Sequence, residues 1–526
     1  MVIRSCLGGV VVKALAWYLC TAVGTMISES LLEHLLKKYR WIFVIFFLLP
    51  LTFFYDIYHF IRQQVTEYFK DKSVCHDLKV KHVQAQVREW IKTDQSIPMC
   101  TGRAGWKCMS LREPKYKSSM FPVDVEAMDT ILSVDEEKKT VKVEPYVTMG
   151  QLTRYLIPRG WTIPVVVELD DVTVGGIVLG QGLESSSHKY GMFQNTCVSY
   201  ELVLGDASLV ECSEEEDRDL FHAIPWSYGT LGFLTAVEIE IIPVKKYVQL
   251  QYVALKSLPD LEHHLKKEAE NKANDFVEAI LFSKDQSVLM IGTFSDSPDP
   301  SKVNNLGRWY KPWFYEHVRS YLTKKKFSEE HVPILDYYHR FSTSLFWEIQ
   351  DIVPFGNHPL FRYLLGWLMP PKVALLKLTQ TQTIKNLYDK HHVVQDYLVP
   401  IEELRSCVNY FHDNIQIYPL WICPFLLKDL PGLVHPAKAQ DGMYLDLGLY
   451  GEPKAKDYHS KNTITALESY LGKIRGFQML GAGVYQSYSE FRQNYDHSLY
   501  DRVRARLGCE KGFPVIYDKV NRVARD

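Results

Sequence analysis

The chain has 526 residues, 47% apolar and 23% charged, with 60 Lys and Arg against 62 Asp and Glu and a formal net charge of −2. These values exclude wholesale disorder, a polytopic channel and a global positive field able to hold nucleic acid. The length suggests three or four structural units at roughly 100–200 residues each, and 32 Tyr, 25 Phe and 11 Trp point to large apolar cavities or lipid-facing surfaces.

Two apolar stretches open the chain. Residues 6–27 are apolar apart from Lys13 and a few small polar side chains, long enough as a helix to span about 30 Å. Arg4 ahead of this stretch makes a signal peptide the rival reading. Residues 41–60 form a second stretch with Pro50 inside it and Trp41, Tyr55 and Tyr58 at interfacial positions. A pair of buried core helices is the alternative to an anchor over 1–60. Basic residues flank the second stretch on both sides (Lys37, Lys38 and Arg40; Arg62 and Lys70), so charge does not orient it.

Residues 61–95 read as helix, with Val80, Val83, Val87 and Trp90 near helical spacing. From Met99 the texture turns to strands. Residues 139–147 and 231–243 alternate, 172–179 is a Gly-interrupted apolar run among them, and Gly205-Asp206 marks a hairpin. A helix is predicted over 149–159. Further on, 255–271 reads as an amphipathic helix, 276–293 as strands, and 444–449 as a strand-like return. The aromatic stretches 309–322 and 361–369 suit either an interfacial element or a buried cavity lining. A charged helical tail is expected at 496–526.

The ten cysteines form no C-x-x-C pair, and no N-x-[ST] sequon occurs, so the bulk of the chain is expected in the cytosol. There is no G-x-G-x-x-G after a strand, no P-loop, no H-E-x-x-H and no G-x-S-x-G; His391-His392 has no metal ligands at suitable spacing. Three Gly-bearing segments remain: 101–106 (TGRAGW), 173–191 (TVGGIVLGQGLESSSHKYG) and 229–232 (GTLG). Any one reads as turn chemistry. Together they suggest backbone amides approaching a pyrophosphate, since glycine lets the main chain come close to a ligand.

In order, these segments resemble the FAD domain of the vanillyl-alcohol-oxidase/p-cresol-methylhydroxylase flavoprotein superfamily, and within it the delta(24)-sterol reductases. The runs 164–171 (PVVVELDD), 310–314 (YKPWF), 346–356 (FWEIQDIVPFG), 391–396 (HHVVQD), 431–436 (PGLVHP) and 450–453 (YGEP) share the resemblance, which extends from about Arg40 to the C-terminus. It implies an α+β fold: a PCMH-type, two-subdomain FAD-binding domain over 61–245, an α+β cap or substrate domain over 246–480, and a C-terminal helical segment, 481–526, returning to the FAD domain. The implied FAD contacts are Thr101, Gly102, Arg103, Gly105 and Trp106, then Gly175, Gly176, Gly180, Glu184, Ser185, Ser186 and His188, and last Gly229 and Gly232. Trp106 stands where many relatives carry a flavin-linking His, which implies non-covalent FAD.

The implied reaction is reduction of the carbon-24/carbon-25 double bond of a sterol side chain, with hydride from flavin nitrogen 5 and NADPH as reductant. The implied setting is the endoplasmic reticulum membrane, with sterol and membrane lipid as partners. Candidates for the proton donor are His188, then Tyr190 and Tyr485; orienting the flavin is the other role open to His188. Glu184 could bond the ribityl side or cap a helix, and Lys189 could meet phosphate or solvent. The sequence departs from the reductase pattern at Ala104 (usually Pro), Gln181 (usually Thr), and Gly481 and Gly483, where Tyr and Asp stand in Q-M-L-Y-A-D-x-Y. Rival readings are a superfamily oxidase of the aldonolactone type and a non-catalytic sterol- or FAD-binding scaffold.

Overall fold

The computed structural model describes residues 38–69, 72–110, 112–324, 327–436 and 440–525; the apolar stretch at 6–27 lies outside the described residues. The second stretch is helical. Among the described residues one helix, Lys38–Tyr58, is long and apolar enough to cross a membrane. After a first α-helical turn and a half it widens into a π-helical turn, Val44–Leu48, and continues as the α-helix Leu49–Phe69. Pro50 offers no N–H and would crowd the preceding turn of a regular helix; the widened turn ahead of it relieves both problems. Val44, Leu48, Leu49 and Thr52 are buried against the protein, whereas Phe46, Phe47, Phe54 and Tyr58 are more than half exposed.

The helix Lys72–Ile91 follows and buries the predicted stripe of Val80, Val83, Val87 and Trp90. The strands then run β1 (Met99–Thr101), β2 (Phe121–Val123), β3 (Ile131–Asp135), β4 (Thr140–Val143), β5 (Trp161–Thr162), β6 (Cys197–Val203), β7 (Leu209–Ser213), β8 (Phe233–Glu240) and β9 (Ile242–Pro243). Five of them form a sheet in the order β3-β4-β8-β6-β7, while β1-β2 and β5-β9 make two-stranded pairs. The hairpin at Gly205-Asp206 joins β6 to β7. The run at 172–179, read with the strands, is a short helix, Val174–Leu179. A six-residue apolar run carries too little periodicity to separate the two states. Packing decides: a Cβ on Gly175 would stand 2.5 Å from Pro145 Cβ, so only glycine lets the helix lie this close.

The strands β10 (Tyr247–Leu255), β11 (Phe276–Ser283), β12 (Gln286–Ser295), β13 (Phe327–Pro333), β14 (Val393–Pro400), β15 (Leu420–Leu427), β16 (Gly442–Gly451) and β17 (Phe477–Gln478) form an eight-stranded sheet in the order β13-β10-β12-β11-β15-β16-β14-β17. Its outer face packs Tyr397, Val399, Ile422, Leu445, Leu447 and Leu449 under the helices Leu258–Glu270, Leu404–Asn414 and Ser460–Lys473. Its inner face turns Leu398, Trp421, Cys423, Phe425, Tyr444 and Tyr450 toward the glycine segments, in the same core as the five-stranded sheet. Strand alternation sorts the two sets.

One buried ion group joins the two parts. Arg340 is fully buried and donates from Nη2 to Glu184 at 2.7 Å and from Nε to Glu278 at 2.8 Å. Trp421 Nε1 donates to the other Glu278 oxygen at 2.8 Å. Removing the guanidinium would leave two carboxylates without a counter-charge. Arg340→Met is expected to cost about 3–5 kcal/mol in unfolding of the full chain, and adding Glu184→Gln and Glu278→Gln to recover most of that loss.

Candidate functional site

The three glycine segments meet around one cavity of about 480 Å³. Thr101 and Arg103 contribute from the end of β1, Gly175, Gly176 and Gly180 from the short helix, and Gly229 and Gly232 from the turn before β8. Local bonding holds them in place. Gly175 N–H donates to Pro145 O at 2.8 Å, and Tyr228 N–H donates to Leu179 O at 2.8 Å, stitching the third segment to the second. Gly229 takes φ +66°, a left-handed turn open to glycine. Lys117 Nζ donates to Thr101 O, Thr101 Oγ1 and Arg103 O at 2.8–3.0 Å, fixing the first segment.

Gly102, Gly105 and Trp106 stand outside this lining. Gly102 N–H donates to Val123 O, Gly105 packs on Pro114, and Lys107 lies over the Trp106 ring. Residues 184–188 lie behind the cavity and are buried. Ser185 Oγ donates to Glu184 at 2.6 Å and lies 3.0 Å from Tyr337 Oη; Ser186 Oγ donates to Pro164 O. The His188 ring sits between Ser185 O (2.9 Å) and Asn274 O (3.2 Å), and burial holds its pKa below the usual histidine value. Lys189 pairs with Asp275. Tyr190 is half-buried beside Lys189, and Tyr485 Oη accepts from Arg522 Nε at 3.3 Å. None of His188, Tyr190 and Tyr485 lines the cavity.

Beside Arg103 of the first segment, the lining carries charged groups that no sequence motif marked. Arg103, Lys117, Lys519 and Arg525 all face the cavity. Lys519 donates to Tyr228 O, and Arg525 to Lys519 O and Gly481 O. Lys117, Lys519 and Arg525 are thus held by carbonyls and a hydroxyl, with their charge uncompensated by a bonded carboxylate among the described residues. Burial, reinforced by Lys117, pushes Lys519 down to about 7. Four cations beside three glycine turns fit an extended ligand with a diphosphate: backbone approaches at the turns and uncompensated positive charge at the wall.

The opposite wall is the inner face of the large sheet. Asp396 of β14 lines the cavity, and Tyr450 Oη donates to its carboxylate. Asp396 faces Gly448 and Leu398 faces Asp446 in the β14–β16 register, so the two aspartates project from one face as diagonal neighbours. Asp446 and Glu168 are buried, and Asp446 Oδ1 has no hydrogen-bond partner among the described residues. Burial raises Asp396 to about 6, and burial with the Glu184 charge raises Glu168 to about 8. Burial with the Asp396 charge pushes Asp446 well above the usual carboxylate range. Asp396 and Glu168 lie in two of the resembling runs, 391–396 and 164–171; Lys519 and Arg525 had no signal in the sequence.

A smaller cavity of about 130 Å³ lies between the apolar helix and residues 367–373, and it shares Met109 and Asp171 with the larger one. Lys372 Nζ bridges Asp171 at 2.9 Å and Asp56 at 3.4 Å, and Lys372 N–H donates to Thr52 Oγ1. Of the two aromatic stretches, 309–322 is largely interior: Trp313, Phe314, Tyr315, Val318 and Tyr321 are buried. The other exposes Tyr363, Leu364 and Trp367, with Leu360 beside them, and the Trp367 ring meets Phe53 of the apolar helix at 5.6 Å.

In comparison with known proteins, residues 102–213 match the family model described as FAD binding domain. The chain is similar to the Delta(24)-sterol reductase of Homo sapiens, 48% identical over 94% of this chain and 96% of that protein. It is 36% identical to the Delta(24)-sterol reductase of Arabidopsis thaliana over 92% of this chain and 91% of that one. The L-gulonolactone oxidase of Mus musculus is 23% identical over 68% and 74%.

Because Lys519 must be protonated to meet a diphosphate, FAD binding to the apoprotein is expected to take up a proton. Affinity is therefore highest below pH 7 and falls as pH rises, by at most about tenfold per unit for one proton. Titration of apoprotein with FAD across pH 6–9 measures this, and Lys519→Met is expected to weaken binding and flatten the profile.

Proposed function

The chain belongs to the delta(24)-sterol reductase family, and from that premise we propose that it reduces the carbon-24/carbon-25 double bond of sterol side chains in the cavity between its glycine turns and its large sheet. The observation that carries the reading is the convergence of three glycine segments and four cations, Lys519 and Arg525 buried among them, on one cavity that an acid-bearing sheet face also lines. FAD held there would supply the hydride, with NADPH as its reductant.

The chain's own residues have separable tasks. Thr101, Arg103, Gly175, Gly176, Gly180, Gly229 and Gly232 hold the cofactor, with Lys117, Lys519 and Arg525 offsetting its phosphate charge. Glu184, Ser185, Ser186 and His188 support that wall from behind through the Arg340 group. We assign 61–245 to a two-subdomain FAD-binding domain, 246–480 to a cap or substrate domain and 481–526 to a segment that returns to the first; Arg504 donating to Thr230 O and Lys519 donating to Tyr228 O support the last assignment. Ile177, Leu179, Val394 and Met479 give the cavity apolar surface that excludes water around the alkene. Trp106 in the first segment supports non-covalent flavin, released by acid precipitation.

The exposed apolar side chains of the helix and of residues 360–367 support a membrane setting, with the sterol entering through the cavity beside Lys372 from an endoplasmic reticulum bilayer and the catalytic part in the cytosol. The 23% likeness to an oxidase is the weaker comparison beside 48% to reductases.

The test is anaerobic flavin absorbance of the membrane-purified protein. NADPH is expected to bleach the flavin band and a sterol with a carbon-24/carbon-25 double bond to restore it. Oxygen consumption without NADPH would favour the oxidase reading, and bound flavin without either response would favour the scaffold. Serine at Leu360, Leu364 and Trp367 together is expected to raise KM for vesicle-embedded sterol several-fold while leaving kcat near that of the parent.

A further inference from the structure

Reducing an isolated alkene takes a proton as well as a hydride, so some group on the cavity wall must deliver one. The flavin-facing wall offers cations, amides and hydroxyls. Asp396 is on the other wall, carried by β14 on the face of the sheet that looks into the cavity. Three features set it apart. Tyr450, from the adjacent strand, donates to its carboxylate and fixes its orientation. Asp446 projects from the same sheet face one diagonal step away, and Glu168 comes from the loop before the short helix. A Cβ at Gly448, directly opposite Asp396, would stand 2.6 Å from Tyr450 Oη, so only glycine lets this phenol lie across the strand toward Asp396.

We propose that Asp396 is the catalytic acid of this chain, with Asp446 and Glu168 as positioning residues that disfavour its ionised form and Tyr450 as the group that aims it. The assignment rests on the flavin-dependent reading above. Two buried carboxyls on one side discourage a third negative charge, as like charges sharing a low-dielectric site cannot all ionise. The raised proton affinities of all three groups agree with the geometry. Arg103, Lys117, Lys519 and Arg525 across the cavity work against this. None of them is ion-paired or hydrogen-bonded to Asp396 among the described residues; their bonds go to Thr101, Arg103, Tyr228, Lys519 and Gly481.

The step balances. The O–H bond of Asp396 breaks and a C–H bond forms at carbon 24 with the π electron pair of the alkene. The electron-deficient carbon 25 takes a hydride from reduced flavin, so the alkene gains two electrons and the flavin loses two. The Asp396 carboxylate regains its proton from solvent water.

The test uses the full chain with FAD in detergent, reduced anaerobically by dithionite and mixed with desmosterol, so that no reductant site is involved. Wild type is expected to reoxidise and, in deuterated water, to place deuterium at carbon 24. Asp396→Asn is expected to keep its flavin content and its reduction by dithionite while reoxidation falls about 100-fold or more, with Asp396→Glu recovering part of the rate. In infrared spectra at pH 5, below the raised Asp396 value, wild type is expected to show a protonated carboxyl component that Asp396→Asn lacks. Tyr450→Phe is a second route should Asp396→Asn lose flavin: loss of the phenol donor raises the Asp396 pKa, so the alkaline limb of the reoxidation profile moves to higher pH. A tyrosine that only packs would leave that limb in place. Asp396→Asn reoxidising at the wild-type rate, or an unmoved limb in Tyr450→Phe, overturns the assignment. Wild type failing to reoxidise overturns the sterol-reducing reading itself.

Discussion

The arrangement of the molecule depends on one buried guanidinium. Arg340 holds Glu184 on one side and Glu278 on the other, stacked over the Tyr337 ring at 4.4 Å. Three ions in a fully buried position carry a large desolvation cost, and they persist only where attraction and hydrogen bonds match it. Here the remaining oxygens are also met, by Ser185 and Trp421. The consequence is geometric. Glu184 belongs to the segment behind the glycine turns, and Glu278 to β11 of the large sheet. Their shared partner sets the distance between the two walls of the cavity, and so between whatever binds at the turns and the acids on the sheet.

Those walls carry opposite charge types, and burial moves both toward neutrality. Lys519 falls to about 7 while Asp396 rises to about 6 and Glu168 to about 8. Had the cations and carboxylates been adjacent, they would have paired and kept their ordinary charge states. Separation across an apolar gap leaves each side incomplete. The cationic wall lacks an anion, which a diphosphate supplies. The acidic wall holds protons more tightly than free carboxylates do, which suits contact with a hydrocarbon. One cavity can therefore accept a polyanionic cofactor and an uncharged lipid without either meeting the wrong wall.

The sequence made the elements legible where one face is buried and the period is clean. The stripe of Val80, Val83, Val87 and Trp90 and the helix containing Leu261 and Leu265 are of this kind. The run Val174–Leu179 was not, because a buried six-residue helix and a buried strand share the same composition. The site divides in the same way. Glycine segments announce themselves by composition, and parts of all three come to line one cavity. Asp396 is one carboxylate among 62 acidic residues, and Lys519 and Arg525 lie near the end of a charged tail. Their importance comes from folding distant strands and the C-terminal helices onto one cavity, which no local pattern records. His188 shows the converse: a distinctive motif residue whose two ring nitrogens both meet backbone carbonyls.

The departures at Gln181, Gly481 and Gly483 bear on whether the chain still turns over. Gln181 and Gly481 meet: Gln181 Nε2 lies 4.0 Å from where a Cβ on Gly481 would stand, and Gln181 Oε1 accepts from Tyr228 Oη at 2.8 Å. A longer side chain at one position thus reaches toward the room left by a missing one at the other. The backbone there is held independently of side chains, since Gly481 O accepts from both Ser110 Oγ and Arg525 Nη1. Gly483 adopts φ +111°, and Arg112 and Arg522 beside it are both held by Asp389. A carboxylate at 483 is therefore not needed to neutralise those guanidiniums. The cation wall, the acid face and the Arg340 group contain none of these positions. The departures reshape one edge of the cavity and leave intact the groups on which binding and proton delivery depend, which favours a working reductase with an altered pocket edge over a silent scaffold.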